Sequence, residues 1–426
     1  MSRTVVSKGI FHGLPTFPEY DGKKLRIIVT GANGISGSAM TKVLSEAPER
    51  WERVYALSRR PPSSQTAPGV EHISADFLES TPEQIAQILK DKNVAADYVY
   101  FASYIQPPPL EGRSLWSDIE ESTKQNMALL SNFLGALPLA NIFPKRILLQ
   151  TGAKYYGLQI GPTAIPMEEE DARHGIEGNF YFPQEDLLEE FCKDNNCSWV
   201  VTRPCFILGA VESAAMNILW PLSIYAAIQA HLGLPLEFPA DVAAWDAVKQ
   251  QSMSTLIAYH AEWALLTPEA GNKALNQCDD SAFAWGKFWP TLADWYQTSA
   301  GRPATNTDAY ATITMPYPDS PRGFGGPGIV KASFSFLEWS KKPEVLKAWE
   351  ELKAKHGLKY SPFGDKSMDT FGLIDGEILG GWARVLSMDR NRKLGWHGFV
   401  STKEAIKQVF TDMADLKMTP PFPRST

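Results

Sequence analysis

The chain has 426 residues, enough for one large α/β unit and a second lobe. Its 44% hydrophobic and 21% charged residues are typical of a globular enzyme, and its net charge of −7 argues against a nucleic-acid-binding surface. We find no uninterrupted run of about 18 apolar residues, so the sequence predicts no membrane span.

The N-terminal segment, residues 1–23, has no long apolar core and does not resemble a secretory signal. We expect a short arm that packs on the domain or frays, in a cytoplasmic protein. The cysteines fit reduced thiols rather than a disulfide framework, because none form a Cys-x-x-Cys pair. They are Cys192, Cys197, Cys205 and Cys278. The histidines form no ligand pattern either, so we expect no metal site.

The most informative motif is a strand followed by a glycine turn and a helix. The apolar run 25–30 predicts a buried strand, and Gly31, Gly34 and Gly37 follow it directly. The predicted helix 36–47 begins within this turn. Glycines at this spacing allow a tight turn, close approach of a pyrophosphate and close packing of helix on strand. The helix N-terminus supplies amide donors for the phosphates.

The end of the second predicted strand indicates which dinucleotide binds. An NAD site carries Asp or Glu about 20 residues after the glycines, to hold the ribose 2′-hydroxyl. Here Ser58 stands near that point, and Arg59 and Arg60 follow it. Guanidinium groups pair well with a 2′-phosphate. These arginines would otherwise be solvated side chains in a Pro-rich loop, but the missing carboxylate favours NADPH.

Strands and helices alternate over the first half of the chain. The predicted strands are 25–30, 53–58, 70–74, 97–102, 146–151 and 198–203. The predicted helices between them are 36–47, 82–91, 117–136 and 183–194. This order predicts an α/β, Rossmann-type, doubly wound parallel sheet with the cofactor at the carboxyl ends of its strands. Asp76 follows the third strand, where it would either meet the adenine or cap a turn.

The second half is richer in Trp, Phe and Pro. Residues 211–233 are apolar at helical spacing, and we predict helices over 343–356 and 371–389, with a flexible loop over 323–328. We therefore expect a mostly helical C-terminal lobe over the nicotinamide. Its aromatic side chains would either line an apolar substrate pocket or form a core.

These elements predict a division into three parts. They are an N-terminal arm (1–23), an NADP-binding Rossmann domain (24–210, completed by parts of 241–280) and a substrate-binding lobe (211–240 and 281–426).

Two segments carry the candidate catalytic side chains. Short-chain dehydrogenases place Tyr and Lys four apart on one helix, and no such pair in a suitable context occurs here. The plausible replacements are Lys154, just past the strand 146–151, and Tyr181, at the start of the helix before 198–203. Taken alone, Lys154 could be a surface cation at a strand end, and Tyr181 could be a core aromatic residue at a helix start.

These motifs, with their order, resemble the progesterone 5β-reductase/iridoid synthase-like family of atypical extended short-chain dehydrogenases/reductases. The resemblance covers nearly all of the chain after residue 24. It rests on Thr30-Gly-x-x-Gly-x-x-Gly37, Arg59-Arg60-Pro61, Gln150-Thr-Gly-x-Lys154, Asn179-Phe-Tyr181 with Glu185-Asp186, Arg203-Pro204, Met216-Asn217, Tyr225-Ala-Ala227, Ala243-Ala-Trp-Asp246, Phe288-Trp289 and Gly398-Phe399.

The resemblance implies reduction of an activated carbon–carbon double bond with NADPH, with Tyr181 and Lys154 in the catalytic positions. It implies a hydrophobic enone or enal as substrate, and family members are commonly homodimers. We expect the cofactor to contact Thr30, Gly31, Asn33, Gly34, Ile35, Gly37, Ser58, Arg59, Arg60, Asp76, Phe77, Thr151, Gly152, Lys154, Tyr181, Pro204 and Ile207.

Three departures from the family pattern leave other functions open. Phe182 stands where a second Tyr is usual, the turn 205–209 differs, and roughly thirty extra residues lie between 300 and 345. A carbonyl (1,2-) reductase is an alternative, against which the missing Tyr-x-x-x-Lys counts. The other alternative is a Rossmann-fold cyclase or NADPH sensor without hydride transfer, although such proteins often lose the Tyr and Lys that are present here.

Overall fold

The computed structural model describes residues 4–63, 66–110, 117–212, 216–364 and 367–422. A few positions of the predicted arm and lobe therefore lie outside the described residues. The strands are β1 Val5–Lys8, β2 Phe11–Pro15, β3 Leu25–Thr30, β4 Trp51–Ser58, β5 Val70–Ser74, β6 Tyr98–Phe101, β7 Arg146–Gln150, β8 Ser198–Pro204, β9 Ile207–Leu208, β10 Ser252–Met253, β11 Lys273–Gln277, β12 Ala311–Thr314, β13 Ile329–Ala332 and β14 Phe399–Val400. The α-helices are α1 Ile35–Ser45, α2 Pro82–Asp91, α3 Ile119–Leu139, α4 Tyr181–Asp194, α5 Leu219–His231, α6 Val242–Asp246, α7 Ser254–Leu266, α8 Trp285–Trp295, α9 Phe336–Trp339, α10 Pro343–His356, α11 Leu373–Ile378, α12 Asp389–Lys393 and α13 Thr402–Asp415.

The centre of the molecule is a seven-stranded parallel sheet. Its strand order is β11-β8-β7-β6-β3-β4-β5, so the order reverses direction between β3 and β6. Every neighbouring pair in it is parallel. The predicted Rossmann-type α/β fold is confirmed. A ligand crevice in such sheets forms where the strand order reverses, at the carboxyl ends of the strands.

Apolar side chains of β3 face both sides of this sheet. Ile27 and Val29 pack on one side with α1 and α7, whereas Ile28 packs on the other side with α2, α3 and α4. Alternate residues of a strand point to opposite faces, and a strand buried on both faces is apolar throughout. This double burial explains why the run is continuously hydrophobic.

The seventh strand, β11, did not stand out as a strand in the sequence. Its last residues, Asn276 and Gln277, are polar yet fully buried. They are satisfied by specific partners: the Asn276 amide N–H donates to Glu169 Oε1 (2.8 Å), and Asn276 Nδ2 donates to the Met167 carbonyl (3.1 Å). A polar strand of this kind depends on tertiary partners, which a local hydrophobic pattern does not reveal.

One predicted helix coincides with the structure and one does not. The helix over 343–356 is confirmed as α10. The prediction of a helix over 371–389 is wrong, because α11 ends at Ile378 and the chain then runs extended to α12. This extended segment makes bridges to other parts of the chain, Arg384 to Lys249 and Leu386 to Met167, which replace helical hydrogen bonds.

Among the described residues three smaller sheets lie outside the central one, and the shortest of them pairs β9 with β10 in parallel. The strands β1, β2 and β14 form an antiparallel sheet that joins the N-terminal segment to the C-terminal part of the chain. The strands β12 and β13 form an antiparallel hairpin, which we call the cleft hairpin (residues 311–332). It lies within residues 300–345, where the family resemblance predicts extra residues. Across the described ranges, no helix has the length and apolar character needed to cross a membrane.

Candidate active site

A cleft of about 1300 Å³ opens at the carboxyl ends of β3, β4, β7 and β8. Almost every residue predicted to bind cofactor lines it. Those residues are Gly31, Asn33, Gly34, Ile35, Gly37, Ser58, Arg59, Arg60, Asp76, Phe77, Thr151, Gly152, Lys154, Tyr181, Pro204 and Ile207. Thr30 is the exception, since it is fully buried beneath the cleft, and its Oγ1 accepts the amide N–H groups of Ala102 (3.1 Å) and Ser103 (3.3 Å). The Thr30 side chain therefore supports the segment after β6 and does not line the cleft.

The glycine turn leaves no room for side chains. Gly31 has φ +63°, and a Cβ there would lie 2.6 Å from the Ala102 carbonyl oxygen. A Cβ on Gly37 would lie 2.3 Å from the Gly31 carbonyl oxygen. Gly34 is the N-cap of α1 and provides no side-chain cap. The first amides of α1 are therefore available to an anion, and the turn fits a dinucleotide pyrophosphate.

Side chains of neighbouring residues hold the backbone of the loop that carries Arg59 and Arg60. Asn33 Nδ2 and Ser58 Oγ donate to the Arg60 carbonyl at 2.7 and 2.8 Å, and Ser74 Oγ donates to the Arg59 carbonyl at 2.9 Å. Arg59 and Arg60 are exposed at the edge of the cleft. Since the backbone is fixed, both guanidinium groups extend from a defined position beside the end of β4.

Asp76 has a local structural role. Its Oδ1 accepts the amide N–H groups of Leu78 (2.9 Å) and Glu79 (3.2 Å), which closes a turn after β5. Asp76 therefore caps a turn, one of the two roles predicted from the sequence, and it also lines the cleft. Phe77 beside it is buried against Phe133, with ring centroids 5.2 Å apart.

Lys154 and Tyr181 come together through the side chain of Asn179. Asn179 Nδ2 donates to the Lys154 carbonyl (3.0 Å), and its Oδ1 accepts the Tyr181 amide N–H (3.1 Å). One side chain thereby ties the turn after β7 to the start of α4. A Cβ placed on Gly152 would lie 3.2 Å from the Tyr181 hydroxyl oxygen. The phenol therefore lies directly over the end of β7.

A buried ion pair fixes the helix that carries Tyr181. Arg203 in β8 donates from Nη2 to both carboxylate oxygens of Glu185 in α4, at 3.1 and 3.0 Å. Both residues are buried, and the Arg203 guanidinium lies 3.3 Å from the centre of the Tyr155 ring. Phe182 packs edge-on to the same ring, at 5.2 Å. The ion pair and this packing restrict movement of α4 relative to the sheet.

Burial changes the proton affinity of both candidate groups. It lowers the pKa of Lys154 to about 8, although the nearby Glu177 carboxylate opposes this change. Burial also raises the pKa of Tyr181, and Tyr104 adds to the effect. Near neutral pH the Tyr181 phenol is therefore a neutral hydrogen-bond donor, and Lys154, which lines the same cleft, is still largely protonated.

Other cleft residues were not found by the sequence analysis. Glu177 accepts the Tyr317 hydroxyl (2.5 Å) and Gln159 Nε2 (3.0 Å), which links the cleft hairpin to the neighbourhood of Lys154. Gln150 Nε2 donates to Ser36 Oγ (2.7 Å), which joins β7 to the glycine turn. Glu177, Gln159 and Tyr317 belong to no motif in the sequence, so spacing alone gave no signal for them, whereas Gln150 begins the motif Gln150-Thr-Gly-x-Lys154.

The side of the cleft away from the glycine turn is largely apolar. The cleft hairpin and the segment around α11 supply most of it: Ile313, Met315, Tyr317, Val330, Leu373, Leu379 and Trp382. Most aromatic residues of the second half are instead core. Trp285 and Trp289 are fully buried and do not reach the cleft. These two tryptophans are therefore core residues and do not line a substrate pocket. The apolar wall of the cleft is formed by a hairpin as well as by helical segments.

Comparison with solved structures shows the same overall fold in other proteins. The chain superposes on the epimerase Mth375 of Methanothermobacter thermautotrophicus with a TM-score of 0.59, over 93% of this chain and 94% of that one, at 16% identity. It superposes on a UDP-glucose 4-epimerase of Thermotoga maritima with a TM-score of 0.56, over 92% and 98% of the two chains, at 12% identity. At these identities the likeness concerns the fold alone.

Sequence comparison assigns the family. Residues 27–317 match the PRISE-like Rossmann-fold domain, and the chain belongs to this family. It is 30% identical to the short chain dehydrogenase gsfE of Penicillium aethiopicum over 399 residues, which cover 92% of this chain and 98% of that one. It is 28% identical to an (S)-8-oxocitronellyl enol synthase of Camptotheca acuminata, over 92% and 93% of the two chains. It is 27% identical to a 3-oxo-Delta(4,5)-steroid 5-beta-reductase of Arabidopsis thaliana, over 92% of each. The predicted family is confirmed.

Proposed function

We propose that this protein is an NADPH-dependent reductase of activated carbon–carbon double bonds in hydrophobic enones or enals. The observation that carries the proposal is the convergence of Tyr181 and Lys154, through Asn179, at the carboxyl ends of the central strands. Family membership and the relative named as a steroid 5-beta-reductase support the same reaction class.

The residues around the glycine turn fit the cofactor. The amides of the turn and of α1 would hold the pyrophosphate, and the guanidinium groups of Arg59 and Arg60 would hold a 2′-phosphate. The acidic residues that line the cleft are Asp76, Glu177 and Asp375, and none of them belongs to the end of β4. This charge distribution favours NADPH over NADH.

Bound NADPH would supply a hydride to the β-carbon of the substrate. The task of the protein is then to stabilise the negative charge that develops on the carbonyl oxygen. The Tyr181 hydroxyl is the donor for this oxygen, and its raised pKa keeps the proton on the phenol. A preorganised donor of this kind typically contributes a factor of about 10²–10³ in rate.

Lys154 supports this donor electrostatically. Both residues line the cleft, and the Asn179 side chain ties their backbones together. An ammonium group near the phenol would make its O–H a better hydrogen-bond donor to the substrate oxygen. It would also bind the nicotinamide ribose. Water then protonates the α-carbon. The apolar side of the cleft, with Leu379 and Trp382, suits a hydrophobic substrate.

The test is to mix the protein with NADPH and citral, to follow the absorbance of the reduced nicotinamide, and to analyse the product. The proposal requires NADPH consumption with formation of the saturated aldehyde. Formation of the allylic alcohol would identify a 1,2-reductase. NADPH binding without consumption for citral and for a series of cyclic and steroid enones would contradict the proposed reaction.

A further inference from the structure

A cluster of buried charged residues lies at one wall of the cleft. Lys249 and Arg384 line the cleft, yet they are only 3% and 5% exposed. Glu377 lies behind them, is fully buried and does not line the cleft. The cluster therefore presents two cationic groups to the cleft, with its one carboxylate on the protein side.

Arg384 and two neighbours satisfy the Glu377 carboxylate. Arg384 donates from Nη1 to Oε2 (2.5 Å) and from Nη2 to Oε1 (2.9 Å). Gln251 Nε2 (2.8 Å) and the Trp285 indole N–H (3.2 Å) also donate to Oε1. A carboxylate with this bidentate pair and two further donors has little capacity left for another cation.

Lys249 does not share this carboxylate through a hydrogen bond. Its ammonium group donates to the backbone carbonyl of Glu377 at 2.5 Å. Among the described residues this carbonyl is its single hydrogen-bond acceptor, whereas an ammonium group has three donors. Two cations share one anion, so the cluster retains one positive charge. A buried charge without a counter-ion is costly, and a bound anion would remove that cost.

The cluster adjoins the position predicted for the reacting atoms. Lys249 pairs with Arg384 in a bridge, and the next strand, β10, pairs with β9 beside Pro204 and Ile207. The Arg384 guanidinium lies 4.7 Å from the centre of the Phe206 ring, which also lines the cleft. A further lining carboxylate, Asp375, accepts the amide N–H groups of Phe336 and Leu337 at 2.7 and 3.0 Å. It is engaged with α9, and among the described contacts no hydrogen bond or ion pair joins it to Lys249.

We propose that Lys249 and Arg384 form an anion subsite, and that the substrate is an apolar molecule with a carboxylate at one end. The substrate class rests on the proposed reductase function, whereas the anion subsite can be tested by binding measurements alone. The carboxylate accepts hydrogen bonds from Lys249, while the apolar part of the ligand lies against Phe206, Leu379 and Trp382. Charge-assisted hydrogen bonds of this kind give a preference of about tenfold or more over a neutral analogue.

The first experiment measures binding by calorimetry on the full chain with NADPH present. The probes are octanoate and octan-1-ol, which share an apolar chain and differ in charge. We expect octanoate to bind about tenfold more tightly than the alcohol, and Lys249→Met to abolish this preference. Lys249→Arg should retain it, and so should the control Lys193→Met, which removes an exposed lysine of α4. Failure of octanoate to bind, equal affinities, or an unchanged preference in Lys249→Met would overturn the subsite.

Lys249 is buried, so folding of each variant is checked by thermal unfolding. If Lys249→Met does not fold, Lys249→Gln, which keeps a hydrogen-bond donor without the charge, takes its place. A second experiment compares kcat/KM for 10-oxodec-8-enoate and its methyl ester. We expect the acid to be favoured by about tenfold in the unmodified protein and not in the variant. If neither compound is reduced, the proposed reaction fails for them, while octanoate binding still decides the subsite.

Discussion

The Gly152 α-carbon and the Tyr181 hydroxyl lie so close that a methyl group on Gly152 would meet the phenolic oxygen at 3.2 Å. The backbone at Gly152 has φ −178°, an extended conformation that alanine adopts without strain. The glycine is therefore required by the position of the phenol and not by the backbone. Because the contact is tight, Gly152 sets how closely Tyr181 approaches the end of β7.

Gly152→Ala should lower turnover while the protein stays folded. The added Cβ displaces the Tyr181 hydroxyl by a few tenths of an ångström, and misplacement of a catalytic donor weakens transition-state stabilisation. We expect a loss of about tenfold or more in kcat. Gly175→Ala is the matched control, since a Cβ there meets nothing within 4 Å. Equal rates for the two variants would show that the phenol adjusts freely.

Tyr181→Phe should remove most of the turnover and preserve NADPH affinity. The hydroxyl is assigned to the substrate oxygen in the transition state, so the loss should appear in kcat, by a factor of about 10²–10³. Steady-state kinetics and a calorimetric titration with NADPH measure the two effects. Tyr310→Phe, outside the cleft lining, is the control. An unchanged kcat in Tyr181→Phe would mean that another group stabilises the enolate.

For a neutral substrate such as citral, which offers no carboxylate to Lys249, the pH dependence of kcat/KM should report the ionisation of Lys154. Burial lowers its pKa to about 8, so the cationic form is present below this pH and is lost as the pH rises through it. We expect kcat/KM to fall above about pH 8. Lys154→Met, which has no titratable group here, should have low activity without this step. If kcat/KM of the unmodified protein does not change across this pH, the electrostatic role proposed for Lys154 is wrong.

Replacement of Arg59 and Arg60 by alanine should weaken NADPH binding selectively. Both side chains extend from a backbone that is fixed by Asn33 and Ser74, and a guanidinium–phosphate contact can contribute a factor of tenfold or more. NADH has no 2′-phosphate, so its affinity should change little. Calorimetric titration of both cofactors gives the comparison. If the unmodified protein binds NADPH and NADH equally, the assignment of these arginines is wrong.

Glu185→Gln should destabilise the protein strongly. It leaves the buried Arg203 guanidinium without its counter-ion, which typically costs about 3–5 kcal/mol in the free energy of unfolding. The neighbouring substitution Asp186→Asn is the control, because the Asp186–Arg173 pair is exposed and worth less than about 1 kcal/mol. Urea unfolding measures both. Similar values for the two variants would contradict the anchoring role of the buried pair.

Local sequence patterns predicted the central sheet because its strands are buried on both faces. The continuous apolar run of β3 and the glycine turn after it give strong signals. By contrast, β11 is held in the sheet by the hydrogen-bond partners of Asn276. The segment after α11 is extended because it makes bridges to Lys249 and Met167. Such elements depend on contacts between distant parts of the chain, and neither hydrophobic periodicity nor strand propensity carries information about those contacts.

The same distinction applies to the cleft. Glycine spacing, the absence of a carboxylate after β4 and the paired motifs around Lys154 and Tyr181 predicted the part of the lining near the glycine turn and the end of β7, but not the opposite wall. The link between Glu177 and Tyr317 joins positions 140 residues apart, and the Lys249–Arg384 cluster joins segments from opposite ends of the second half. Neither combination forms a motif, so neither could be predicted before the chain was folded.

The cleft hairpin enters and leaves the body of the protein at one place, because Ala311 and Ala332 pair across its base. A segment whose ends are already joined can change length or sequence at a small entropic cost, and it leaves the strands of the central sheet where they are. Ile313, Met315 and Tyr317 on this segment form part of the cleft wall. Relatives with a shorter or longer hairpin could thus diverge in the molecules they accept while the glycine turn and the residues around Lys154 and Tyr181 stay the same.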